Sequence, residues 1–130
     1  MPRAIGIFEA GVRLAPNHRE MSYNLGRAYE KSGRPRDAER LFHYLVQGRD
    51  MKQARVRLGA LAEGRGDPIR AAGEYRRALE IGPSYPEALR HLGLLRLGAG
   101  ERREGVALLK RYLAIRPGDS QVAELVAEGG

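Results

Sequence analysis

The chain has 130 residues and a formal net charge of +7, which arises from 23 Lys and Arg against 16 Asp and Glu. This length suits one domain with a useful buried core. The absence of cysteine excludes disulfides and thiolate metal sites, and no apolar run approaches the ~18 residues of a membrane helix. Glu9 and Arg13 interrupt the N-terminal apolar stretch, so we expect no signal peptide and a cytoplasmic location.

Apolar residues at three- and four-residue spacing predict helices from the start of the chain. The first is expected over residues 4–14, with Ile5, Phe8 and Val12 on one side. A second is expected over residues 19–32, ended by a glycine at the usual C-terminal position. Pro35 opens a third helix, because a proline in the first turn removes no helical hydrogen bond.

The same order of signals continues through the rest of the chain. Asp67 and Pro68 have the residue types of an N-cap and a first helical residue. No segment alternates polar and apolar residues as a strand would. We therefore predict an all-α protein of about eight helices, antiparallel to their neighbours because the connections are short. The helices expected after residue 50 are Lys52–Gly64, residues 68–81, residues 86–97, Glu101–Ile115 and Gln121–Glu128.

A Leu-Gly pair returns along the chain at a nearly constant spacing. The three glycines of these pairs, Gly26, Gly59 and Gly93, follow one another at an interval of about 34 residues. Twelve residues after each glycine comes another small residue, and these are Ala38, Ala71 and Gly105. A period of this length is the signature of a repeat protein built from stacked helix pairs.

With these residues the chain resembles the tetratricopeptide repeat (TPR) family, whose aromatic and proline positions also hold Tyr29, Phe42, Tyr75, Pro83 and Pro117. It departs from the family three residues before each Leu-Gly pair, where an aromatic is replaced by Ser22, Arg55 or Leu89. The resemblance implies a solenoid, an all-α superhelix of antiparallel helix pairs. It divides the chain into a half repeat at 1–18, full repeats at 19–51, 52–85 and 86–119, and a C-terminal capping helix at 120–130.

The resemblance also implies a non-catalytic scaffold or protein–protein interaction module, in which the first helix of each pair lines a concave groove. Opposite the Leu-Gly face lies a predicted polar stripe that could hold a carboxylate, because arginine binds carboxylate through a bidentate fork. Beside the stripe, Val56, Ala60, Leu94 and Leu97 form a predicted apolar patch for a peptide or helix. The residues predicted to contact a partner are Tyr23, Asn24, Arg27, Lys31, Arg57, Ala60, Arg90, His91 and Leu94.

The expected partner is a protein or peptide, with an acidic segment as one possibility. One TPR subtype binds acidic chaperone tails through lysines, asparagines and an arginine, and this pattern does not fit the residues found at the matching positions. Those residues are Tyr23, Arg27, Arg57, Glu87 and His91.

Three alternatives stay open at this point. The groove residues are simply solvated, or the chain is a basic adaptor for acidic protein or nucleic acid, or it self-assembles through the uncovered N-terminal half repeat. The adaptor reading rests on the basic segment from Arg102 to Arg116. Nucleic acid is the less expected partner, because Tyr112 is the only aromatic residue interleaved there.

Catalysis, cofactors, metals and membranes are not expected. His18, His43 and His91 are not at metal-ligand spacing from one another. The segment Gly64-Arg65-Gly66 is interpreted as a turn after a helix, because no Gly-Lys-Ser/Thr follows it as in a phosphate-binding loop.

Overall fold

The computed structural model describes residues 19–129, which form seven helices and no strand. The helices predicted in this range are confirmed to within about one residue at each end. The helix predicted over residues 4–14, and with it the N-terminal half repeat, lies outside the described residues. The helices are α1 (Arg19–Lys31), α2 (Pro35–Gln47), α3 (Lys52–Gly64), α4 (Pro68–Ile81), α5 (Pro86–Gly98), α6 (Arg102–Ile115) and α7 (Ser120–Gly129).

The turns that follow α1, α3 and α5 share one geometry. Each contains a glycine in the left-handed region, and these are Gly33, Gly66 and Gly100 with φ of 72°, 79° and 83°. The amide after the glycine donates back into the helix, as from Arg34 to the carbonyl of Tyr29 at 2.8 Å. Glycine adopts this conformation without strain, so it closes the helix and reverses the chain. The two helices of each pair are therefore joined in the same way.

The helices pack as successive antiparallel pairs, α1 with α2, α3 with α4 and α5 with α6. Each second helix also packs against the first helix of the next pair, and α3 contacts α5 directly. The Leu-Gly face lies in the core, where Leu25, Leu58 and Leu92 are each 4% exposed. Among the described helices, none is long and apolar enough to cross a membrane.

The repeated glycines make room for a large side chain of the partner helix. A Cβ built on Gly26 would lie 2.5 Å from Cε1 of Phe42, and one on Gly59 would overlap the ring of Tyr75. At Gly93 the same atom would lie 2.7 Å from Cγ of Leu109. The glycines therefore serve helix packing and leave the opposite side of α1, α3 and α5 to face outward.

We expect Gly59→Ala to lower the free energy of unfolding by about 1 kcal/mol. The new methyl group overpacks against Tyr75, at a cost of about 1–3 kcal/mol, which exceeds the gain in helix propensity of about 1 kcal/mol. Gly73→Ala is the matched control, because a Cβ at this position in α4 meets nothing within 4 Å. It should stabilise the protein. Urea denaturation followed by circular dichroism measures both, and equal effects of the two substitutions would contradict the packing argument.

Arg55 occupies one of the positions where an aromatic was expected, and it forms a largely buried ion pair. Its Nη1 donates to Glu74 Oε1 at 2.8 Å and its Nε to Asp50 Oδ1 at 2.9 Å. The side chains of Arg55 and Glu74 are only 14% and 7% exposed. The charged pair thus fills the space between α3 and α4 that the aromatic ring would have filled.

Candidate functional site

The outward-facing sides of α1, α3 and α5 form one continuous surface, which we call the first-helix surface. Side chains cross between these helices at two junctions, and α3 touches both neighbours. Most of the residues predicted to contact a partner lie on this surface. Their surroundings differ from those expected from the sequence.

The junction between α1 and α3 is an ion-pair network centred on Glu30. Arg57 donates through Nη2 to Glu30 Oε1 at 2.6 Å and through Nε to Oε2 at 3.0 Å. Arg27 donates to the same Oε2 at 3.0 Å. Burial lowers the pKa of Arg57, but the hydrogen bonds and charge of Glu30 outweigh this and leave the pKa raised. The bidentate fork that was predicted to hold a ligand carboxylate therefore holds one from the protein itself.

The junction between α3 and α5 is bridged by Tyr75 of α4, which reaches both Glu63 on α3 and His91 on α5. The rings of Tyr75 and His91 are stacked with centroids 5.2 Å apart and 22° between their planes. The Tyr75 hydroxyl donates to Glu63 and lies 3.4 Å from His91 Nδ1. Burial and then the hydrogen bond to Glu63 raise the pKa of Tyr75. This junction matches the first one, because Glu63 and His91 lie one repeat further along the chain than Glu30 and Arg57.

His91 is held in its neutral form by its surroundings. Burial lowers the pKa of the imidazole, and the nearby charges of Arg57 and Arg90 lower it further. The carboxylates of Glu63 and Glu87 act in the opposite direction without cancelling the effect. The ring is therefore uncharged at neutral pH and acts as a stacking partner rather than as a cation.

Arg90 is also paired within the protein. Its Nε donates to Asp119 Oδ2 at 3.2 Å, and the Tyr112 hydroxyl donates to the same oxygen at 2.7 Å. These contacts, led by the Tyr112 hydrogen bond, hold the pKa of Asp119 below its usual range. Asp119 also caps α7 by accepting from the Val122 amide at 3.2 Å. Arg90 thus fastens α5 to the start of α7.

An open hollow of about 350 Å³ lies at the end of the surface formed by the beginnings of α1 and α3. Tyr23 and Asn24 border it, and Asn24 is exposed. The Tyr23 ring rests against Phe42, with centroids 5.7 Å apart, and burial raises the pKa of its hydroxyl. The hollow thus combines an aromatic ring with neutral polar groups that can donate and accept hydrogen bonds. Its lining residues are Glu20, Tyr23, Asn24, Met51 and Gln53.

The remaining predicted contact residues are placed separately. Lys31 is exposed at the end of α1, and Ala60 is half-buried on α3. Leu94 and Leu97 pack partly against the core around Leu109. The structure places Tyr23 beside Asn24 at the hollow and Arg27 beside Arg57 at Glu30. Lys31 is not grouped with another of the predicted residues.

The inclusion of Val56 in the apolar patch was wrong. Its side chain is only 3% exposed and belongs to a core cluster with Ala62, Tyr75 and Leu92. The reason is that α3 packs against α2, α4 and α5 at once, so its buried arc is wider than that of a helix with one partner. Of the predicted apolar patch, only the half-buried Ala60, Leu94 and Leu97 therefore remain on the surface.

Tyr85 belongs to the same surface and was missed. It lies just before α5, and the Lys52 ammonium is 5.4 Å from the centre of its ring. Burial, and then the charge of Glu87, raise the pKa of Tyr85 to about 12. A repeat-based signal was present, because Tyr85 lies one repeat after Met51, which lines the hollow.

Within residues 19–129, no group of three or more His, Asp or Glu side chains is arranged to hold a metal ion. The surface therefore offers stacking rings, amides and carboxylates. Groups of these kinds can form hydrogen bonds and apolar contacts with a ligand.

Comparisons with known proteins agree with this architecture. One family model described as tetratricopeptide repeat matches residues 2–54 and 23–86, and a second with the same description matches residues 60–129. Among solved structures, MamA is similar with a TM-score of 0.81 and 23% identity, over 97% of this chain and 74% of that one.

Two further similar structures were solved with peptides. One is the type III secretion chaperone SycD of Yersinia enterocolitica in complex with a peptide of the translocator YopD. Its TM-score is 0.75 at 19% identity, over 85% of this chain and 90% of that one. The other is the first TPR of Spaghetti (RPAP3) bound to the HSP90 peptide SRMEEVD, with a TM-score of 0.77 at 14% identity, over 85% and 89%. At these identities the likeness concerns the fold.

Proposed function

Because the chain belongs to the tetratricopeptide repeat family, we propose that it is a non-catalytic module that binds a segment of another protein on its first-helix surface. This surface corresponds to the concave groove that the sequence predicts. The observation that carries the proposal is the hollow between α1 and α3, where Tyr23, Asn24 and Gln53 face one open space. The peptides bound by the similar structures of SycD and RPAP3 support a ligand of this class.

The proposed contacts come from Tyr23, Asn24 and Gln53, which line the hollow. They do not come from the arginines of the predicted polar stripe, which are paired within the protein. Asn24 and Gln53 carry amides that both donate and accept, which suits the backbone of an extended peptide. Tyr23 offers a ring that its packing on Phe42 holds in place, so little side-chain entropy is lost on binding. The ion pairs of Arg27 and Arg57 with Glu30 then hold α1 and α3 together beneath the ligand.

Four other expectations from the sequence remain predictions. Self-association through the N-terminal half repeat, the division into repeats and the cytoplasmic location stay predictions. An acidic ligand segment also stays a prediction, and the arrangement of charges on the first-helix surface weighs against it.

A peptide library tests the proposed surface. Random twelve-residue peptides are panned against the full chain, and fluorescence anisotropy measures the affinity of the enriched ones. We expect Tyr23→Ala to weaken binding about tenfold, because a well-packed interface tyrosine contributes more than about 1 kcal/mol. Asn24→Ala should weaken binding several-fold, since one hydrogen bond is worth about 0.5–1.5 kcal/mol.

Tyr44→Ala is the matched control, because this tyrosine is 59% exposed on α2, outside the first-helix surface. It should leave the affinity unchanged. Circular dichroism checks that each variant folds, and the exposed Asn24 provides a variant that does not disturb the core. Peptides whose binding responds to Tyr44→Ala but not to Tyr23→Ala or Asn24→Ala would contradict the proposal.

A further inference from the structure

Exposed charges are distributed unequally between the two sides of the protein. On α1, α3 and α5 the exposed ionisable side chains are three acids, Glu20, Glu63 and Glu87, and one cation, Lys31. The helix α7 adds two more exposed acids. The second helices α2, α4 and α6 show the reverse, with nine exposed cations against two exposed acids. Within residues 19–129, the exposed cations are thus concentrated on the second helices, and most of the exposed acids lie on the first-helix surface and α7.

The arginines of the first helices are partly exposed, but protein oxygens hold each of them, so a ligand meets them already paired. Arg27 and Arg57 share Glu30, and Arg90 is paired with Asp119. Arg55 is paired with two carboxylates, and so is Arg96. Arg19 donates to backbone carbonyls at the end of α2 and just after it. A ligand carboxylate would have to displace Glu30 or Asp119 while it faced the exposed acids.

The exposed acids lie next to the aromatic and apolar parts of the surface. Glu20 borders the hollow with Tyr23. Glu87 is exposed in the first turn of α5, two residues after Tyr85 and one helical turn before His91, and its charge acts on both groups and on Tyr23. A carboxylate beside the Tyr23 ring suits a ligand cation, which gains from the charge and from the ring. The ring of Tyr85 already has the Lys52 ammonium near it.

We propose that the segment bound on the first-helix surface is basic and apolar, with Lys or Arg side chains directed to Glu20 and Glu87 and apolar side chains placed on Leu94 and Leu97. This inference rests on the proposed function and specifies its ligand. The net charge of +7 does not prevent such binding, because charges separated by more than about 8 Å are largely screened at physiological salt. Within that distance the bound segment would contact the exposed acids Glu20 and Glu87.

The panning experiment tests the charge of the ligand directly. We expect peptides that depend on Tyr23 and Asn24 to be enriched in Lys and Arg relative to the starting library. The double variant Glu20→Gln/Glu87→Gln should weaken their binding about tenfold at low salt, and less at high salt because exposed charges are screened. Both glutamates are exposed, so the variant keeps the fold.

The charge-matched control is Glu80→Gln/Glu104→Gln, which removes two exposed acids from α4 and α6. It should not weaken binding. Selected peptides enriched in Asp and Glu, or an affinity unchanged in Glu20→Gln/Glu87→Gln, would overturn the inference while Tyr23→Ala still supported the proposed function. A library that yields no peptide dependent on Tyr23 or Asn24 would overturn both.

Discussion

Glu74→Ala is expected to lower the free energy of unfolding by about 3 kcal/mol. The substitution leaves Arg55, only 14% exposed, without the carboxylate that lies 2.8 Å from its Nη1. Breaking a buried ion pair from one side costs about 3–5 kcal/mol because the remaining charge stays desolvated. We expect the lower end of this range, since Asp50 still accepts from Arg55 Nε. Chemical denaturation followed by circular dichroism measures the change.

The next helix pair supplies the control for this prediction. Leu89 and Leu108 lie one repeat after Arg55 and Glu74 and fill the equivalent position with apolar side chains. Arg55→Leu/Glu74→Leu copies that solution and removes both charges together. It should stay within about 1 kcal/mol of the wild type, because apolar replacement of a buried pair is often neutral or stabilising. A double variant as unstable as Glu74→Ala would show that the ion pair itself is required.

Tyr75→Ala should destabilise the protein by about 3–5 kcal/mol, the range found when a large buried aromatic is truncated. The ring has no exposed surface, fills the space left by Gly59 and stacks on His91. The substitution therefore leaves a cavity and loosens α5 from α3. Thermal and urea denaturation report the loss.

Tyr75→Phe separates the ring from its hydroxyl. Phe42 holds the equivalent position one repeat earlier and shows that this position accepts phenylalanine. The expected loss is about 1 kcal/mol, since the substitution removes the hydroxyl's hydrogen bond to the exposed Glu63 and its long contact with His91 but keeps the packed ring. If Tyr75→Phe were as unstable as Tyr75→Ala, the polar junction rather than the packed ring would hold α3 and α5 together.

The fold could be predicted from the sequence because its signals are local. Pro35, Pro68 and Pro86 each begin a helix, and Asp67 caps α4 by accepting from the Arg70 amide at 3.1 Å. Such signals depend on a few neighbouring residues, so they can be read without knowledge of the tertiary structure. The spacing of the Leu-Gly pairs then indicated how the helices pair.

The site was less predictable, because its chemistry depends on contacts between distant residues. Arg57 meets Glu30 across 27 residues, and Arg90 meets Asp119 across 29. A helical pattern shows that an arginine points outward but does not show which carboxylate it reaches. For this reason the sequence predicted that the arginines of the polar stripe could hold a ligand carboxylate, whereas in the structure they pair with carboxylates of the protein. Tyr85 was missed because it precedes α5 and so has no place on a helical face.

The two polar junctions on the first-helix surface have a consequence for cooperativity. In a repeat protein each unit contacts only its neighbours, so the array unfolds as one body only when the coupling between units is strong. The Glu30–Arg57 pair couples α1 to α3, and the Tyr75–His91 stack couples α4 to α5, so each joins one repeat to the next. A peptide bound across these helices would add to the same coupling. The bound ligand would then make the unfolding of the repeats more cooperative.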